Sequence, residues 1–258
     1  MKSSTADIAS RRVQLAELLK KEGYLSVSEL SRRIRVSEAT VRRDLGALEE
    51  QNQITRTHGG ALSEYDTFFS SFYQRKSLNR ELKKRIARSA AGLLEDNQRI
   101  FLDAGSTVYS VAAEISESSH RDLKIVTNSL PIAEIFVLRG TCEVHLLGGK
   151  LLPHQLIVVG PGVGLSLSAW RFDVAIFGAQ AMDSNGLWNS QDQIVDFQRH
   201  VCGRSSQTVF CVDSTKLGQT GPSFLLRWQE VDRLVTTAPI ELLNSKGVIL
   251  RSDQYVQA

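Results

Sequence analysis

Glycines and small polar residues follow four apolar runs of the chain, where they could bind an anion. Glycine lets a ligand approach the backbone closely, and the first turn of a helix offers free amides and a positive dipole end. A lysine after the last of these runs supplies a positive charge suited to a phosphate. One such loop alone is more often a plain turn, but four at equivalent positions favour a shared pocket. The candidates are Asp103, Gly105, Ser106, Thr107, Asn128, Ser129, Gly148, Gly149 and Lys216.

A second group of polar and basic residues, between positions 37 and 58, has the types that contact nucleic acid. An arginine near the start of a helix can bond a guanine edge twice, which discriminates between bases by about 1 to 3 kcal/mol. Basic residues in a neighbouring hairpin suit phosphate or minor-groove contacts, which set register without reading sequence. An ordinary solvated helix face is the plainer interpretation of the arginine pair. The candidates are Ser37, Glu38, Thr40, Arg42, Arg43, Arg56 and His58.

Two short helices must position these candidates. Ser26 and Glu29 have the spacing of a capping box, which predicts a helix that begins near Val27. Ser37 is a preferred N-cap residue and predicts a second helix after a turn of about three residues. So short a turn predicts that the two helices cross. Residues 54–60 are basic and rich in β-forming types, and they predict a wing beside the helices.

Apolar spacing predicts which faces of the two helices are buried. The second helix is expected to pack on the first and on residues 13–19 upstream. Asp44 is expected to orient a neighbouring arginine, because a bare carboxylate close to phosphate is repelled. The predicted inward residues are Val27, Leu30, Ile34, Val41, Leu45 and Leu48.

Short apolar runs alternate with helical segments through the rest of the chain. This alternation predicts a largely parallel sheet with helices on both faces. Ligands of such sheets bind at the carboxyl ends of the strands, where the anion-binding candidates lie. The predicted strands are residues 99–103, 123–127, 143–148, 173–177, 208–213 and 233–237.

Residues 63–77 connect the two regions. This segment is polar, but four of the six residues at positions 68–73 are aromatic, so we expect it to pack on the body or on a second subunit. A helix over residues 78–94 follows, and its basic residues favour a solvated face over DNA contact. The aromatic residues are Phe68, Phe69, Phe72 and Tyr73, and the basic ones are Arg80, Lys83, Lys84, Arg85 and Arg88.

Length and charge favour two domains. The 258 residues exceed the usual length of one domain, and we divide them into a head at 1–62, a linker at 63–77 and a body at 78–258. The head has 11 Lys and Arg against 8 Asp and Glu, while the remainder has 20 of each. The net charge of +3 therefore lies in the head, which suits a DNA-binding function supplemented by specific contacts.

Composition also argues against several classes of protein. The three cysteines form no CxxC pair, so neither a disulfide framework nor a metal site is predicted, and no cofactor is expected. The first residues lack an apolar signal region, and no run approaches the roughly 18 apolar residues of a membrane span. We therefore expect a cytoplasmic protein without a membrane partner.

Residues 36–61, VSEATVRRDLGALEEQNQITRTHGGA, resemble the DNA-binding signature of the DeoR family of bacterial transcription regulators. The similarity includes the RRDL core from Arg42 to Leu45 and the trailing THGGA. It implies a winged helix-turn-helix head joined to a metabolite-sensing domain.

The body also resembles the sensor domain of that family, through the pieces DAGST, TNS, GGK, FDVAIFGA and DSTK. The resemblance implies an α/β fold similar to ribose-5-phosphate isomerase and coenzyme A transferases, and an effector that is a phosphorylated sugar or related metabolite. It implies effector contacts from Asp103, Gly105, Ser106, Thr107, Asn128, Ser129, Gly149 and Lys216.

Several positions depart from the family's pattern. Leu152 stands where arginine is usual, Ile194 and Val195 replace an acidic residue and alanine, and Gln198 replaces lysine or asparagine. Because charges of both signs are lost, a smaller, less phosphorylated or unphosphorylated effector is an alternative. Trp188 is expected either to stack on a sugar ring or to pack in the core.

The sequence predicts a DNA-binding transcription regulator, a repressor of a carbohydrate-utilisation operon controlled by a sugar, sugar phosphate or related metabolite. A homodimer or homotetramer is expected, because two recognition helices then enter grooves about one turn apart on the operator. A transcription activator or dual regulator of the same family is the alternative.

Two other functions are weighed against this one. A sugar-phosphate isomerase needs a placed base, and only Asp103 and Asp213 are available once Ile194 replaces the family's acid. We therefore expect no enzyme activity. An architectural DNA protein would leave the polar strand ends unexplained.

Overall fold

The computed structural model describes residues 5–22, 24–50, 54–57, 60–63, 72–140, 142–152 and 155–258. The chain forms two compact units, residues 1–70 and 71–258. The boundary between the units falls inside the segment 63–77 that the sequence assigns to a linker.

The first unit combines helices with a small antiparallel sheet, in strand order β1-β3-β2. This is the winged helix-turn-helix arrangement that the sequence predicts. Its elements are α1 (Thr5–Glu22), β1 (Tyr24–Ser26), α2 (Val27–Ile34), α3 (Glu38–Glu50), β2 (Ile54–Thr57) and β3 (Gly60–Ser63).

Local side-chain bonds fix the starts of α2 and α3. Glu29 N donates to Ser26 Oγ and Ser26 N donates to Glu29 Oε2, each over 3.2 Å, so the predicted capping box is present. The helix ends at Arg35, whose φ of 59° is left-handed. Ser37 Oγ then accepts from Thr40 N at 3.2 Å and caps α3. Three residues therefore separate the helices, as predicted.

The core of the first unit contains the inward residues expected from the spacing. Ile34 lies at the edge of this core and is only partly buried. The prediction for the upstream segment is wrong at its first residue, because Val13 is 57% exposed. Its helical position turns it away from the face that buries Leu15 and Leu19. The buried residues are Leu15, Leu19, Leu25, Val27, Leu30, Val41, Leu45, Leu48 and Ile54.

The second unit is an α/β layer structure. Its helices are α4 (Phe72–Ser77), α5 (Arg80–Ala91), α6 (Ser106–Glu117), α7 (Leu130–Arg139), α8 (Pro161–Ser168), α9 (Asp192–Cys202) and α10 (Ile240–Ser245), with short 3₁₀ turns at Ser214–Lys216 and Trp228–Glu230. Its strands are β4 (Arg99–Leu102), β5 (Lys124–Thr127), β6 (Glu143–Leu146), β7 (Lys150–Leu152), β8 (Ile157–Val159), β9 (Phe172–Gly178), β10 (Ala181–Met182), β11 (Gly186–Asn189), β12 (Ser205–Val212), β13 (Ser223–Arg227), β14 (Arg233–Thr236) and β15 (Tyr255–Gln257).

Seven of these strands form a parallel sheet in the order β15-β14-β12-β9-β4-β5-β6. The six predicted strands are all members, which confirms the predicted fold class. From β4 the chain proceeds outward to β5 and β6, and from β9 it proceeds the other way to β12, β14 and β15. The direction therefore reverses between β4 and β9, and such a switch point opens a crevice at the carboxyl ends of the strands.

Both faces of this sheet are covered, which explains why its strands are apolar throughout. Ile100 and Leu102 pack with α5, α6 and α7 on one face. Phe101, between them, packs on the other face with residues of α8 and α9. The same alternation continues in the neighbouring strands, where Ala175 and Phe177 share the face of Phe101.

The end of the predicted linker is helical and belongs to the second unit. Phe72 is 1% exposed, and its ring centroid lies 5.3 Å from that of Tyr109 on α6. Phe68 and Phe69 lie outside the described residues.

No helix in the part of the chain that the structure describes has the length and apolar character needed to cross a membrane.

Candidate functional site

The start of α3 carries the DNA-contact candidates on an exposed surface. Ser37 and Glu38 are exposed, and Thr40 is partly so. Ser37 Oγ and Thr40 Oγ1 are hydrogen-bonded at 2.9 Å. Arg42 Nη2 donates to Glu38 Oε2 at 2.8 Å while the Arg42 side chain stays 56% exposed, and Arg43 is exposed beside it. The structure thus brings these five candidates together on the recognition helix.

Asp44 has a different role from the predicted one. Its side chain is 2% exposed and binds Arg11 Nε at 2.6 Å and Arg12 Nε at 3.2 Å, both on α1. It does not orient Arg42, which pairs with Glu38. Asp44 therefore fastens α3 to α1 and leaves the arginine pair available to DNA.

The two wing candidates are described only in part. Arg56 lies on β2 opposite Ala61 of β3, while its side chain and His58 lie outside the described residues. Their contacts with DNA remain predictions.

Asp103 lies at the switch point of the sheet, directly after β4. Gln198 on α9 donates from Nε2 to Asp103 Oδ2 at 2.6 Å, and the same nitrogen lies 3.3 Å from the carbonyl oxygen of Gly178 at the end of β9. Ala104 N donates to Asn128 Oδ1 at 3.1 Å, which joins the ends of β4 and β5. The ends of β4, β5 and β9 and the helix α9 thus meet at this carboxylate.

Several polar atoms at the ends of β4 and β5 are buried and form no hydrogen bond among the described residues. Within the described residues, Asp103 Oδ1, Asn128 Nδ2 and Ser129 Oγ have no hydrogen-bond partner. The Asn128 amide is near enough to affect the carboxylate but lacks the geometry of a hydrogen bond to it. Buried polar groups are rarely left unsatisfied, and each exception calls for a reason such as a ligand.

Burial also changes the acidity of this carboxyl group. Loss of solvent raises the pKa of Asp103 to about 7, while the hydrogen bond from Gln198 and the nearby Ala104 N and Asn128 amide act in the opposite direction. A hydroxyl that donates to the free oxygen would favour the charged carboxylate further.

The loop after Asp103 has open space above it. Gly105 has a φ of +132°, and nothing lies within 4 Å of where its side chain would begin. Gly105 precedes α6, whose first residues Ser106 and Thr107 are buried and partly buried respectively. The amides at this helix start are available to an anion or hydroxyl.

An apolar cluster forms one wall beside this loop. Leu152, Ile157, Val159 and Ile194 are buried together, and Ala104 packs against them. Leu152 and Ile194 are two of the residues at which the sequence departs from the family's pattern, so apolar contacts occupy positions where charges are usual.

Lys216 lies in the 3₁₀ turn after β12, and a basic group surrounds it. Lys83 on α5 interacts electrostatically with Lys216, Asp213 and Arg75. The interpretation of Lys83 as part of a solvated helix face is wrong, because Lys83 is 5% exposed. Its Nζ donates to the carbonyl oxygens of Arg75 at 2.5 Å and Leu78 at 2.7 Å.

Burial also changes the acidity of Lys83 and of Arg75, which lies on α4. Loss of solvent lowers the pKa of Lys83 and of Arg75. Arg75 Nε is buried and has no hydrogen-bond partner among the described residues. Sequence spacing gave no sign of this group, since α4 falls in the predicted linker and a basic helix usually faces solvent.

Gly148 and Gly149 have their nearest neighbours on β8 and α8. A side chain at Gly149 would meet Val163 Cγ2 at 2.5 Å and the Val159 carbonyl oxygen at 2.7 Å. Gly148 is exposed, and its nearest atom is Ser166 Oγ at 4.0 Å. Close packing explains Gly149, while effector contacts of both glycines remain predictions.

Trp188 packs on Phe224, with ring centroids 4.9 Å apart at 76°. This edge contact favours the core interpretation over a free stacking surface.

Family comparisons identify both units. Residues 11–67 match the DeoR-like helix-turn-helix domain, and residues 78–238 match the DeoR C terminal sensor domain. The chain belongs to the DeoR family. As a member of this family it is a transcription regulator rather than an isomerase.

Named relatives of this DeoR-family chain are repressors. It is 33% identical over 226 residues to the glycerol-3-phosphate regulon repressor of Escherichia coli K12, which covers 87% of this chain and 89% of that protein. It is 31% identical over 246 residues to the transcriptional repressor GlcR of Bacillus subtilis 168, covering 93% and 94%. Ribose 5-phosphate isomerase A of Methanocaldococcus jannaschii is similar in structure at 18% identity, with a TM-score of 0.40 over 54% of this chain and 55% of that one.

Proposed function

We propose that this DeoR-family regulator represses a carbohydrate-utilisation operon, and that a small hydroxylated metabolite bound at the switch point between β4 and β9 changes its affinity for the operator. The relatives support repression, since both the glycerol-3-phosphate regulon repressor and GlcR are named as repressors. DNA and the effector must prefer different states of the protein, and their coupling is reciprocal.

The observation that carries this proposal is the unused polar pair at Asp103 and Asn128. A carboxylate oxygen accepts from a hydroxyl, and an amide nitrogen donates to one. Both atoms are buried and unpartnered among the described residues. A sugar or polyol hydroxyl satisfies both at once, whereas an apolar ligand would leave both unsatisfied.

A basic group beyond this pair favours a phosphorylated effector. Asp103 follows β4 and Lys216 lies after β12, with β9 between these strands. Neighbouring strands are about 4.8 Å apart, so the two loops are about 10 Å apart across the sheet. Lys83 interacts electrostatically with both Lys216 and Arg75 and adds positive charge here, of which Asp213 offsets a part. One end of a sugar phosphate would thus bind Asp103 and Asn128, and its phosphate would bind the basic group.

The apolar wall favours a second candidate, an unphosphorylated sugar or polyol. Leu152 and Ile194 are buried beside Ala104, in positions where the family usually has charges. Such a wall suits the carbon face of a sugar and offers nothing to a phosphate.

We propose that the regulator acts in the cytoplasm as a homodimer or homotetramer. Two copies of α3 would then enter major grooves about one helical turn apart. The exposed Arg42 and Arg43 are the proposed base or phosphate contacts, with Arg56 and His58 on the wing.

Thermal unfolding of the full-length protein with matched pairs of sugars and sugar phosphates tests the effector. A ligand that binds only the folded state raises Tm. We expect a rise with a phosphorylated or free sugar, loss of that rise in Asp103→Asn, and altered retention of operator DNA in a gel shift with the same ligand. Equal rises in the wild type and Asp103→Asn would contradict the proposed site.

A further inference from the structure

A basic cavity of about 400 Å³ opens at the opposite edge of the sheet from the effector loops. Arg171 directly precedes β9 and Arg204 directly precedes β12. The cavity therefore lies at the amino ends of these strands, whereas Asp103 and Lys216 follow carboxyl ends of the same parallel sheet. The residues that line it are Arg171, Arg199, His200, Gly203 and Arg204.

Backbone carbonyl groups hold Arg199 in place. Arg199 Nε donates to the Leu225 carbonyl oxygen at 2.9 Å, and its Nη2 donates to that of Phe224 at 3.1 Å. A guanidinium has five N–H donors, so three remain for a ligand. The two bonds to β13 fix the direction of those donors before any ligand binds.

Arg204 and Arg171 are each bonded to backbone carbonyl groups through Nη1 alone. Arg204 Nη1 donates to the carbonyl oxygen of Ser168 at 3.2 Å, and Arg171 Nη1 donates to that of Trp170 at 3.2 Å. Ser168 is the last residue of α8, so capping of this helix explains one donor of Arg204. Capping does not account for the remaining donors, nor for the presence of three guanidiniums around one cavity.

No carboxylate among the described residues forms an ion pair with these three arginines. Asp173, two residues after Arg171, accepts from the backbone N of Arg99 at 2.7 Å. His200 Nδ1 bonds the carbonyl oxygen of Asp196 at 2.7 Å, which leaves its Nε2 for a ligand. The cavity thus has three uncompensated positive charges.

We propose that this cavity binds a phosphate group, whose oxygens accept hydrogen bonds from Arg171, Arg199 and Arg204. Planar guanidinium groups match phosphate oxygens in pairs, and several arginines together are typical of phosphate recognition. The phosphate can belong to a small phosphorylated metabolite or to the backbone of DNA, and this site is distinct from the effector site.

Calorimetric titration of the full-length protein with sodium pyrophosphate tests the cavity. We expect saturable binding that weakens at least about tenfold in Arg171→Gln and in Arg204→Gln, because each variant loses charge-assisted hydrogen bonds. Arg121→Gln, at an exposed arginine elsewhere on the same unit, should bind as the wild type does. Lys216→Gln should keep this binding event, which separates it from the effector site. Melting curves identify any variant that fails to fold, and Arg171→Gln removes only one backbone bond.

Two outcomes would overturn the proposal. One is absence of saturable binding, and the other is equal affinity in Arg171→Gln, Arg204→Gln and Arg121→Gln. The source of the phosphate is tested in a background with Arg42→Ala and Arg43→Ala, where a short duplex is added as competitor. Displacement of pyrophosphate by the duplex supports a DNA backbone contact, and retention supports a small phosphorylated ligand.

Discussion

Gln198 Nε2 donates to Asp103 Oδ2 over 2.6 Å at the point where the parallel sheet changes direction. Asn189 Nδ2 donates in turn to Gln198 Oε1 at 2.9 Å, so the Gln198 amide is fixed with its nitrogen towards the carboxylate. One carboxylate oxygen of Asp103 is therefore used by the protein. The other, Oδ1, is buried and has no hydrogen-bond partner among the described residues, and it is the proposed ligand contact.

Replacement of Asp103 by asparagine should change how stability depends on pH. Burial raises the pKa of Asp103 from 3.8 to about 7, so between these pH values the folded chain holds a proton that the unfolded chain has lost. The free energy of unfolding of the wild type should thus fall as pH rises from 4 to 7, by on the order of 4 kcal/mol from this group. Asp103→Asn lacks this decrease, so its free energy of unfolding should rise relative to that of the wild type between pH 5 and pH 8.

Urea unfolding followed by circular dichroism at pH 5 and pH 8 measures this difference. Asp196→Asn, at an exposed position on α9, is the matched control and should follow the wild type. Parallel curves for wild type and Asp103→Asn would contradict a raised pKa. A hydroxyl that donates to the carboxylate should also bind more tightly at pH 8 than at pH 6.

Loss of the arginine pair on α3 should weaken operator binding. Arg42 is exposed and oriented by Glu38 over 2.8 Å, and each arginine contact with a base contributes about 1 to 3 kcal/mol. Arg42→Ala together with Arg43→Ala should weaken specific binding at least about tenfold in a gel shift. Arg121→Ala is the control for a lost exposed charge. Unchanged specific binding in the double variant would exclude α3 as the recognition helix.

The fold could be predicted well because its causes are local in the sequence. The capping box at Ser26 and Glu29 specifies where α2 begins without any distant contact. The central strands β4, β5 and β9 are largely buried on both faces and therefore read as apolar runs. Small polar residues after those runs likewise indicate the edge of the sheet at which we propose that the effector binds.

Other parts of the site depend on contacts between distant residues and could not be predicted. Asp44 is 33 positions from Arg11 in the sequence, and only the packing of α1 on α3 brings them together. Gln198 and Asp103 are 95 positions apart. Lys83 stands on the same helical stripe of α5 as Ile86, Ala87 and Ala90, but a lysine usually faces solvent, so that spacing did not by itself indicate a buried amine.

Variants of Lys83 and Lys84 give a matched test of the basic group that contains Lys83, Arg75 and Lys216. Lys83 is buried with its amine bonded to two carbonyl groups, whereas Lys84 is exposed. Lys83→Met leaves those carbonyls without their donor and should lower the free energy of unfolding by about 1 to 3 kcal/mol, while Lys84→Met should have little effect. Lys83→Met should also weaken a phosphorylated effector more than its unphosphorylated counterpart in a thermal shift. Equal behaviour of the two variants would contradict a role for Lys83.

Gly149 and Gly148 separate packing from ligand contact. A Cβ at Gly149 would lie 2.5 Å from Val163 Cγ2 and 2.7 Å from a backbone oxygen of Val159, whereas at Gly148 the nearest atom is 4.0 Å away. Gly149→Ala should therefore lower the free energy of unfolding by about 1 to 3 kcal/mol through overpacking, with Gly148→Ala close to the wild type in urea unfolding. If Gly148→Ala keeps its stability but loses effector binding, Gly148 is confirmed as a ligand contact.

Phe72 and Tyr73 test whether the end of the linker transmits the effector signal. Phe72 is buried against Tyr109, and Tyr109 lies in the first turn of α6, directly after the Gly105 loop. Lys76 Nζ donates to Tyr109 Oη at 2.8 Å, which adds a second link between α4 and this turn. A ligand proposed to bind at the loop would therefore act next to residues that hold α4.

Phe72→Ala should cost about 3 to 5 kcal/mol in the free energy of unfolding, the usual range for a buried aromatic ring, whereas Tyr73→Ala, at a side chain that is 67% exposed, should cost little. The milder Phe72→Leu keeps most of the packing. In this variant the effector should still raise Tm, but it should change operator affinity less than in the wild type, because the contact between α4 and α6 is altered while the ligand site is intact. Full effector control of DNA binding in Phe72→Leu would show that the signal leaves the sensor unit by another route.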